Sequence, residues 1–306
     1  MMQENNNIAV LIPCHNEEKS IAQVIRDFKS FLPKADIYVF DNCSVDKTAE
    51  IAKENGAIVR FENNKGKGNV VKRMFSDIDA DIYVLVDGDN TYDPKSVTEM
   101  INLMIKDNLD MVVGKRVGGN FNNEYRFGHS FGNKLLTGFV GLIFGNGFSD
   151  ILSGYRVMTK RFVKSFPALS SGFEIETEIT IHALQLEVAS KEINTKYSSR
   201  ESGSYSKLNT FKDGLKILWL IFIMFKDEKP FSFFGILSIL FFSISLLFFY
   251  PILDTYISTG MVPRLPTAIL SSVLMILSFV AMIAGVILDS MSRLKLQIKK
   301  LNYLSK

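Results

Sequence analysis

Short apolar runs alternate with segments of helical period along residues 8–115. The apolar runs lie at residues 8–13, 37–40, 57–61, 82–87 and 111–114. Helical spacing of apolar side chains begins at Glu17, covers residues 45–56 and continues from Gly66 to Asp77. Apolar strands joined by helices favour parallel pairing with helices on both faces of the sheet. The pattern therefore predicts an α/β domain with a mostly parallel sheet.

Two much longer apolar segments lie near the end of the chain. Residues 231–253 and 265–288 contain no charged side chain, and a helix needs about 20 apolar residues to cross a bilayer. A pair of buried core helices is the alternative, but the rest of the chain is too small to surround two helices that are apolar on every side. We therefore predict two transmembrane helices.

Basic residues flank these two segments unevenly. The loop between them carries a single basic residue, Arg264. Basic residues are more numerous on the outer flanks: Lys212, Lys216, Lys226 and Lys229 before the first segment, and Arg293, Lys295, Lys299, Lys300 and Lys306 after the second. The positive-inside rule places both flanks, and with them the N-terminal domain, in the cytoplasm. We therefore expect a multi-pass protein of the plasma membrane.

A shorter apolar segment, residues 215–226, precedes the first predicted span. It is too short to cross a bilayer, and its flanking lysines and Trp219 favour a helix in the headgroup layer. A plain core helix is the alternative. The resulting organisation has four parts: a cytosolic α/β domain (1–208), a juxtamembrane amphipathic helix (209–229), two transmembrane helices (within 230–290) and a basic cytosolic tail (291–306).

Composition excludes several classes of protein. Hydrophobic residues make up 47% and charged residues 22%, which excludes a disordered chain. The net charge is only +3, from 35 Lys and Arg against 32 Asp and Glu, so no nucleic-acid partner is expected. Cys14 and Cys43 cannot form a disulfide framework, and the N-terminus lacks the apolar core of a signal peptide. Both features favour folding on the reducing, cytosolic side.

Polar residues follow three of the predicted strands, at residues 13–17, 41–44 and 87–89. Open parallel sheets bind ligands at the carboxyl ends of their strands, where the strand order reverses. Asp87 and Asp89 lie one residue apart, and such a pair can bind one Mg²⁺ or Mn²⁺ together with substrate phosphates. The cation would neutralise a departing diphosphate. A solvated turn is the alternative for an isolated Asp-X-Asp.

A glycine-rich turn, Gly66-Lys67-Gly68, opens the third helical segment. Its backbone amides and the Lys67 side chain could contact phosphate. A plain turn that leads into the helix is the alternative. The GxGxxG and GxxxxGK[ST] patterns of other nucleotide-binding loops are both missing from the sequence.

Four motifs together resemble the GT-A glycosyltransferases of family 2: IPCHNEE, FDNCSVDKT, NKGKGNV and VDGDNTYDP. Three later motifs are similar to the branch that makes dolichyl- or undecaprenyl-phosphate sugars: SDILSGYRVMTKRF, GFEIETEI and RESGSYSKLNT. The resemblance covers about residues 8–215 and extends to the two C-terminal spans. It implies a Rossmann-like GT-A fold for the cytosolic domain.

The resemblance implies roles at a nucleotide-sugar site. Beside Asp87, the residues expected to bind the nucleotide sugar are Pro13, His15, Glu17, Asp41 and Lys67. Asp87 and Asp89 would hold Mg²⁺ or Mn²⁺, with Asp89 as the closer ligand and a catalytic residue. Relatives often carry Gln where this chain has Thr91, so a third protein ligand to the cation stays open.

The acceptor implied by the resemblance is a lipid phosphate, which an arginine fork can bind through two hydrogen bonds. The residues that match acceptor-phosphate positions are Arg116, Arg126, Ser130, Arg200 and Lys207. For the four basic residues of this set, the alternative role is that of surface residues near anionic lipid. Asp150 matches a catalytic Asp near the reacting centre, and helix capping or turn formation is its alternative role.

Three further glutamates and two histidines lie in or near these motifs. Glu174, Glu176 and Glu178 alternate in GFEIETEI, and a helix would spread them over different faces. At most one of them is therefore expected near the site. His129 and His182 are expected to be structural.

The reaction implied is a single inverting displacement, in which a phosphate oxygen of the lipid attacks the anomeric carbon of a nucleotide sugar. The expected donor is a UDP-hexose or UDP-N-acetylhexosamine, and the expected acceptor is undecaprenyl phosphate or another polyprenyl phosphate. The lipid-linked product would serve cell-envelope glycosylation.

Three alternatives to this reaction were compared. Two stay open: a GDP-mannose-dependent polyprenyl-phosphate mannosyltransferase, and a non-catalytic membrane protein that binds sugar nucleotides. A processive polysaccharide synthase is disfavoured, because the single tryptophan, Trp219, is not part of a Gln-x-x-Arg-Trp motif. The identity of the sugar, the polyprenol length and the oligomeric state, a homo-oligomer included, also stay open.

Overall fold

The computed structural model describes residues 6–118, 123–145, 147–198 and 210–305, without the side chains of 123–132, 134 and 210–213. Two compact units divide the chain. One comprises Met1–Trp219 together with Lys299–Lys306, and the other comprises Leu220–Ile298. The first unit contains an α/β sheet and the second contains long apolar helices.

Within the described residues, seven strands form one sheet in the order β3-β2-β1-β4-β6-β5-β7. The strands are β1 Ile8–Cys14, β2 Asp36–Asp41, β3 Ile58–Phe61, β4 Ile82–Leu85, β5 Met111–Val117, β6 Arg156–Thr159 and β7 Ser190–Lys196. β6 alone runs antiparallel to its neighbours, β4 and β5, and the other strands share one direction. The prediction of a mostly parallel α/β sheet is confirmed, with five of the strands close to the predicted runs.

Helices cover both faces of this sheet. They are α1 Ile21–Phe31, α2 Thr48–Glu54, α3 Lys67–Asp77, α4 Ser96–Lys106, α5 Asn123–Phe144, α6 Lys160–Ser165 and α7 Ile175–Leu186. Successive side chains of a strand point to opposite faces, so Val10 and Ile12 pack with α1 and α4 whereas Ala9 and Leu11 pack with α3, α6 and α7. The uninterrupted apolar run of β1 therefore fills two cores at once.

The helical period that begins at Glu17 does not start a helix there. α1 begins at Ile21, and residues 17–20 form a turn in which the backbone N–H groups of Ser20 and Ile21 donate to the Glu17 carbonyl at 3.1 and 3.0 Å. The N–H of Glu17 itself donates to Thr48 Oγ1 at 2.8 Å. This segment is thus fastened to the loop after β2, and the helix starts only beyond it.

Three further helices follow: α8 Thr210–Glu228, α9 Pro230–Thr259 and α10 Leu265–Leu304. α9 and α10 are long and apolar enough to cross a membrane, and only 17% and 22% of their most apolar segments are buried. Both helices extend beyond the predicted spans. Such low burial does not fit the alternative of two core helices in a soluble protein.

Small residues form the contact between α9 and α10. The hydroxyl of Ser238 lies 3.0 Å from that of Ser278 and donates to the Ser278 carbonyl at 2.9 Å. Seven residues further along α9, Ser245 donates to the carbonyl of Ser271 at 2.7 Å. Serine hydroxyls that bond across two helices let the backbones approach closely while the large apolar side chains stay on the outer faces.

Two segments at the edges of the predicted domains are helical. In α8, Leu215 and Trp219 are more than half exposed while Ile217 and Ile221 are buried, which does not fit a plain core helix. The segment expected as a basic tail continues α10 to Leu304. Its last residues belong to the α/β unit, where Tyr303 donates a hydrogen bond to Asp110.

Candidate active site

The carboxyl ends of β1, β2, β4 and β5 meet at one edge of the sheet, together with the residues that lead into β6. β1 lies between β2 and β4, so the strand order reverses at its end. This is the position at which open α/β sheets bind ligands. The residues predicted for a nucleotide sugar, a cation and the reacting centre all come from segments at this edge.

The loops after β1 and β2 are joined to each other. The N–H of Asn42 donates to the Cys14 carbonyl at 2.8 Å, and His15 Nδ1 donates to the Asn42 carbonyl at 2.7 Å. Asn16, in the left-handed region at φ 53°, donates its N–H to Ser44 Oγ at 2.9 Å. Pro13, His15 and Glu17 therefore lie beside the end of β2.

Asp41 is a buried carboxylate with an unmatched oxygen. Its Oδ2 accepts a hydrogen bond from the N–H of Ser44 at 3.1 Å. Its Oδ1 is buried and has no hydrogen-bond partner among the described residues. Because buried polar atoms in native proteins are nearly always paired, this oxygen is suited to accept a hydrogen bond from a ligand.

The acidic pair follows β4 at the centre of this edge. A Cβ on Gly88 would lie 2.6 Å from Cys14 Sγ and 3.3 Å from Ile12 Cγ2, so only glycine fits between Asp87 and Asp89. Ser20 Oγ donates to the Gly88 carbonyl at 2.7 Å and fixes the same turn. The close contact with β1 therefore sets the direction of both carboxylates.

Asp89 is the more buried member of the pair, with 3% of its surface exposed. Its Oδ1 accepts hydrogen bonds from the hydroxyl of Thr91 at 2.6 Å and from the N–H of Thr91 at 3.3 Å. The hydroxyl of Thr91 therefore orients the carboxylate of Asp89.

Lys67 reaches from the start of α3 to the acidic pair. Its ammonium contacts Asp87 and lies 2.5 Å from Glu176 Oε1. Burial alone would lower the pKa of Lys67, but the charges of Asp87 and Glu176 outweigh it and raise that pKa. Burial in turn raises the pKa of Glu176, partly offset by the Lys67 charge. Of the three alternating glutamates, Glu176 is the one that reaches this cluster.

The backbone amides of the two glycines in the glycine-rich turn already have partners within the protein. The N–H of Gly66 donates to Asn42 Oδ1 at 2.7 Å, and that of Gly68 donates to the Ser171 carbonyl at 3.0 Å. A Cβ on Gly66 or Gly68 would lie 2.1 or 2.2 Å from the carbonyl oxygens of Ser171 and Ser170. The glycines thus serve close packing of the loop before α7, and only the Lys67 side chain of this turn points to the acidic pair.

Arg116 and Asp150 form a bidentate pair. Arg116 Nε donates to Asp150 Oδ2 at 2.8 Å and Nη2 donates to Oδ1 at 2.7 Å, while the backbone N–H of Arg116 adds a bond of 3.2 Å. Burial alone would raise the pKa of Asp150, but the hydrogen bonds and charge of Arg116 outweigh it and lower that pKa. Asp150 is therefore an ionised, fixed carboxylate.

Two residues that the sequence reasoning did not single out hold this pair in place. Asn133 of α5 donates to Asp150 Oδ1 at 3.0 Å. The guanidinium of Arg116 lies 5.6 Å from the ring centre of Tyr197, which follows β7. Neither residue belongs to a sequence motif that indicates a catalytic or binding role. Their positions beside the Arg116–Asp150 pair could be found only from the fold.

Arg156 is a fully buried residue that the sequence reasoning also missed. Its guanidinium donates to the carbonyls of Ile151 and Glu176, each at 3.0 Å, and to Thr180 Oγ1 at 2.9 Å. Burial lowers its pKa to about 10, so it keeps its charge at neutral pH. An arginine inside the apolar run YRVM was a signal that could have indicated this role.

Several predicted residues lie outside the described part of the chain. Arg200 and Lys207 are not described, and α5 is described without the side chains of Arg126, His129 and Ser130. The acceptor-binding roles of Arg126, Ser130, Arg200 and Lys207 and the structural role of His129 therefore stay predictions. His182, by contrast, is buried against Phe162 and Phe166 with Nε2 3.2 Å from Ser165 Oγ, which is a structural position.

The acidic pair has a donor set that fits a divalent cation. Asp87 and Asp89 offer carboxylate oxygens at one strand end, and Mg²⁺ commonly binds one or two carboxylates plus substrate phosphates and water. Within the described residues, no group of three or more His, Cys, Asp or Glu side chains could hold a metal by itself. The pair therefore fits a cation whose remaining ligands come from a bound diphosphate.

Sequence comparison places the chain among glycosyltransferases. A sequence model described as glycosyl transferase family 2 matches residues 9–165. Protein RfbJ from Shigella flexneri is 60% identical over 128 residues, which are 42% of this chain and 99% of RfbJ. Glycosyltransferase AglJ from Haloferax volcanii is 31% identical over 229 residues, 74% of this chain and 75% of AglJ. A dolichol-phosphate mannosyltransferase from Pyrococcus furiosus is 28% identical over 185 residues, 57% of this chain and 52% of that enzyme.

Solved structures share the fold at lower identity. Glucosyl-3-phosphoglycerate synthase from Mycobacterium tuberculosis, in complex with Mn²⁺, UDP-glucose and phosphoglyceric acid, has a TM-score of 0.58 at 17% identity. The match covers 73% of this chain and 81% of that one. This likeness supports the predicted GT-A arrangement of the sheet.

Proposed function

This chain belongs to glycosyl transferase family 2, and we propose that it moves a hexose or N-acetylhexosamine from a UDP-sugar to a polyprenyl phosphate such as undecaprenyl phosphate. The product is a lipid-linked sugar for cell-envelope glycosylation. The observation that carries the proposal is the cluster of Asp87, Asp89 and Lys67 at the reversal of strand order, in a chain that also has two apolar helices able to cross a membrane.

The nucleoside binds at the ends of β1 and β2 in this proposal. Pro13, His15 and Glu17 line one side of the nucleoside, and Asp41 lines the other. The unmatched Oδ1 of Asp41 accepts a hydrogen bond from a nucleobase, and the imide N–H of uracil is a suitable donor. Guanine offers comparable N–H donors, so this contact fits a uridine or a guanosine nucleotide.

A divalent cation, Mg²⁺ or Mn²⁺, is held by Asp87 and Asp89 together with the diphosphate of the donor. When bound, it neutralises the diphosphate and so assists its departure. Lys67 adds a second positive charge next to Asp87. The Mycobacterium tuberculosis synthase was solved with Mn²⁺ and UDP-glucose, which supports a cation of this kind for the shared fold.

The acceptor phosphate is held by basic residues on the other side of the donor. Arg116, Arg126, Ser130, Arg200 and Lys207 are the proposed contacts. Asp150 orients Arg116 through its bidentate bonds and lies near the reacting centre. A phosphate monoester is already anionic near neutral pH, so its oxygen needs positioning and charge shielding more than it needs a strong general base.

The membrane arrangement follows from charge. The basic flanks of α9 and α10 favour a cytoplasmic α/β unit, with residues 254–264 on the outer side. The exposed apolar face of α8 is suited to the headgroup layer, where Trp219 is well placed. A lipid phosphate on the cytoplasmic side of the membrane and the soluble donor would then be in the same compartment.

A GDP-mannose-dependent transfer to polyprenyl phosphate is the second candidate. The similarity to a dolichol-phosphate mannosyltransferase favours it, whereas the solved synthase that shares the fold and binds UDP-glucose favours a UDP-sugar. The two candidates share the lipid phosphate and differ only in the donor.

A donor screen tests the proposal. Membranes that contain the full chain are given polyprenyl phosphate and, one at a time, radiolabelled UDP-glucose, UDP-galactose, UDP-N-acetylglucosamine, UDP-N-acetylgalactosamine and GDP-mannose. We expect label in the organic phase with one UDP-sugar, only when polyprenyl phosphate is added. Label with GDP-mannose alone would favour the second candidate, and no lipid-linked label with any donor would contradict the proposal.

A further inference from the structure

Lys67 lies between two carboxylates with different surroundings. The side chain of Asp87 is 26% exposed, whereas that of Glu176 is 5% exposed. With two carboxylates and one ammonium, the buried cluster has an excess of negative charge. Asp87 is accessible from the ligand-binding edge, and Glu176 lies behind Lys67, inside the protein.

The position of Glu176 is fixed by the buried Arg156. Arg156 donates to the Glu176 carbonyl at 3.0 Å and to Thr180 Oγ1, one turn further along α7, at 2.9 Å. The same guanidinium also holds the carbonyls of Ile151 and Ser153, each at 3.0 Å. The backbone of α7 is therefore fixed at Glu176, and its carboxylate is buried behind Lys67, 2.5 Å from the ammonium.

We propose that Glu176 is a positioning residue, which receives the Lys67 ammonium when a divalent cation takes its place on Asp87. The inference rests on the proposed function, because it requires a cation at Asp87. Lys67 and the cation compete for the same carboxylate, and a buried ammonium can leave one anion only if another stays with it. Glu176 is that second anion.

This arrangement explains why the site needs a buried glutamate. With Glu176 present, Lys67 stays paired with Glu176 after the cation binds, and its ammonium can still donate a hydrogen bond to a diphosphate oxygen. Without Glu176, Lys67 has Asp87 as its only carboxylate partner in the described cluster. Lys67 would then hold Asp87 more tightly and exclude the cation.

The test measures Mn²⁺ affinity by electron paramagnetic resonance, on the full chain in detergent with UDP. We expect Glu176→Gln to weaken Mn²⁺ binding about tenfold and Lys67→Met to strengthen it about tenfold, in line with the loss of one buried charge-assisted hydrogen bond. The double variant Lys67→Met with Glu176→Gln should bind Mn²⁺ as tightly as Lys67→Met alone, because Glu176 acts only through Lys67. A melting curve for each variant reports folding separately.

Glu178→Gln is the matched control. Glu178 is equally buried on α7, but its carboxylate accepts the N–H groups of Leu169 and Ser170, each at 2.8 Å. We expect its replacement to change the Mn²⁺ affinity less than about twofold, since its hydrogen bonds are not to Lys67. An equal loss in this variant would mean that any buried negative charge attracts the cation, and the positioning role would be wrong.

If Lys67→Met fails to fold, the Mn²⁺ affinity of the double variant compared with the wild type decides the question. A double variant that binds Mn²⁺ more tightly than the wild type supports the inference. A double variant within about twofold of the wild type would indicate two independent charge effects, and would contradict it.

The proposed function is tested separately from this inference. Wild-type protein that binds no Mn²⁺ would overturn the inference together with the cation at Asp87, while the transfer to lipid would be judged by the donor screen. Wild-type binding with an uncoupled double variant would overturn the inference alone.

Discussion

Gly154 touches the carboxylate on which the proposed cation site depends, so its replacement by alanine is a sensitive test of that site. A Cβ at this position would lie 2.7 Å from Asp87 Oδ2, 3.0 Å from Oδ1 and 3.1 Å from Cγ. Real Cβ atoms do not approach other atoms so closely. The carboxylate of Asp87 would therefore have to turn away from Gly154.

The change should affect the cation site more than the fold. Asp87 is a short side chain that is 26% exposed, so its carboxylate can move toward solvent. Gly154 has no left-handed φ, and a Gly→Ala change in a compatible conformation alters the free energy of unfolding by only about 0.4–1 kcal/mol. Loss of one charge-assisted contact between the Asp87 carboxylate and the cation amounts to about 1.5–3 kcal/mol. Cation-dependent transfer should fall about 10- to 150-fold.

The assay pairs turnover with a melting curve for the full chain in detergent. Gly138→Ala is the matched control, because a Cβ at Gly138 of α5 meets no atom within 4 Å. Alanine should favour that helix by up to about 1 kcal/mol and leave transfer unchanged. Wild-type turnover and Mn²⁺ affinity in Gly154→Ala would refute the assigned position of Asp87. A collapse of the melting temperature would refute the claim that Asp87 can move.

Three other predictions concern the cation, an acid-sensitive histidine and the topology. Asp89→Asn should abolish nearly all transfer while the protein still folds, because Asn keeps the shape of Asp but lacks its charge. EDTA should have the same effect on the wild type, and added Mg²⁺ or Mn²⁺ should restore transfer. Full activity in EDTA would contradict the cation site. Burial, with a smaller contribution from Lys299, lowers the pKa of His182 to about 3, whereas an unfolded histidine has a pKa of about 6.5. Below about pH 6.5 the unfolded state therefore binds a proton that the folded state does not bind, and the free energy of unfolding decreases as the pH is lowered. The loss should reach about 2 kcal/mol at pH 5 and continue toward pH 3, and His182→Gln should reduce this slope in denaturant titrations; an unchanged slope would contradict the assignment. A cysteine at position 258 should react with an impermeant thiol reagent from outside the cell and one at position 305 should not; labelling at 305 would contradict the two-span topology.

The strands of the first 115 residues could be predicted from the sequence, because each of them is a nearly continuous apolar run. The direction of β6 could not be predicted, because a short run such as Arg156–Thr159 does not indicate whether it pairs parallel or antiparallel to its neighbouring strands. The start of α1 was placed too early for a related reason. Residues 17–20 have the right spacing for a helix, but their backbone groups are used to join the loops after β1 and β2.

The candidate site shows the same division between local and long-range information. Asp87 and Asp89 could be identified from the sequence, because their role needs only a strand end and two carboxylates. The partners of the site residues could not, since Lys67 meets Glu176 across 109 positions of the chain and Arg116 meets Asp150 across 34. The spacing in GFEIETEI could not say which glutamate faces inward, because all three glutamates occupy the start of α7 and only tertiary packing distinguishes them.

The most direct test of the central claim is the mass of the product made by the purified full chain from a UDP-sugar and polyprenyl phosphate. We predict an organic-soluble species whose mass equals that of the lipid phosphate plus one sugar, less one water, with UDP released in equal amount. Asp89→Asn should not make it. Release of UDP together with free sugar, and no change in the mass of the lipid, would contradict transfer to a lipid phosphate.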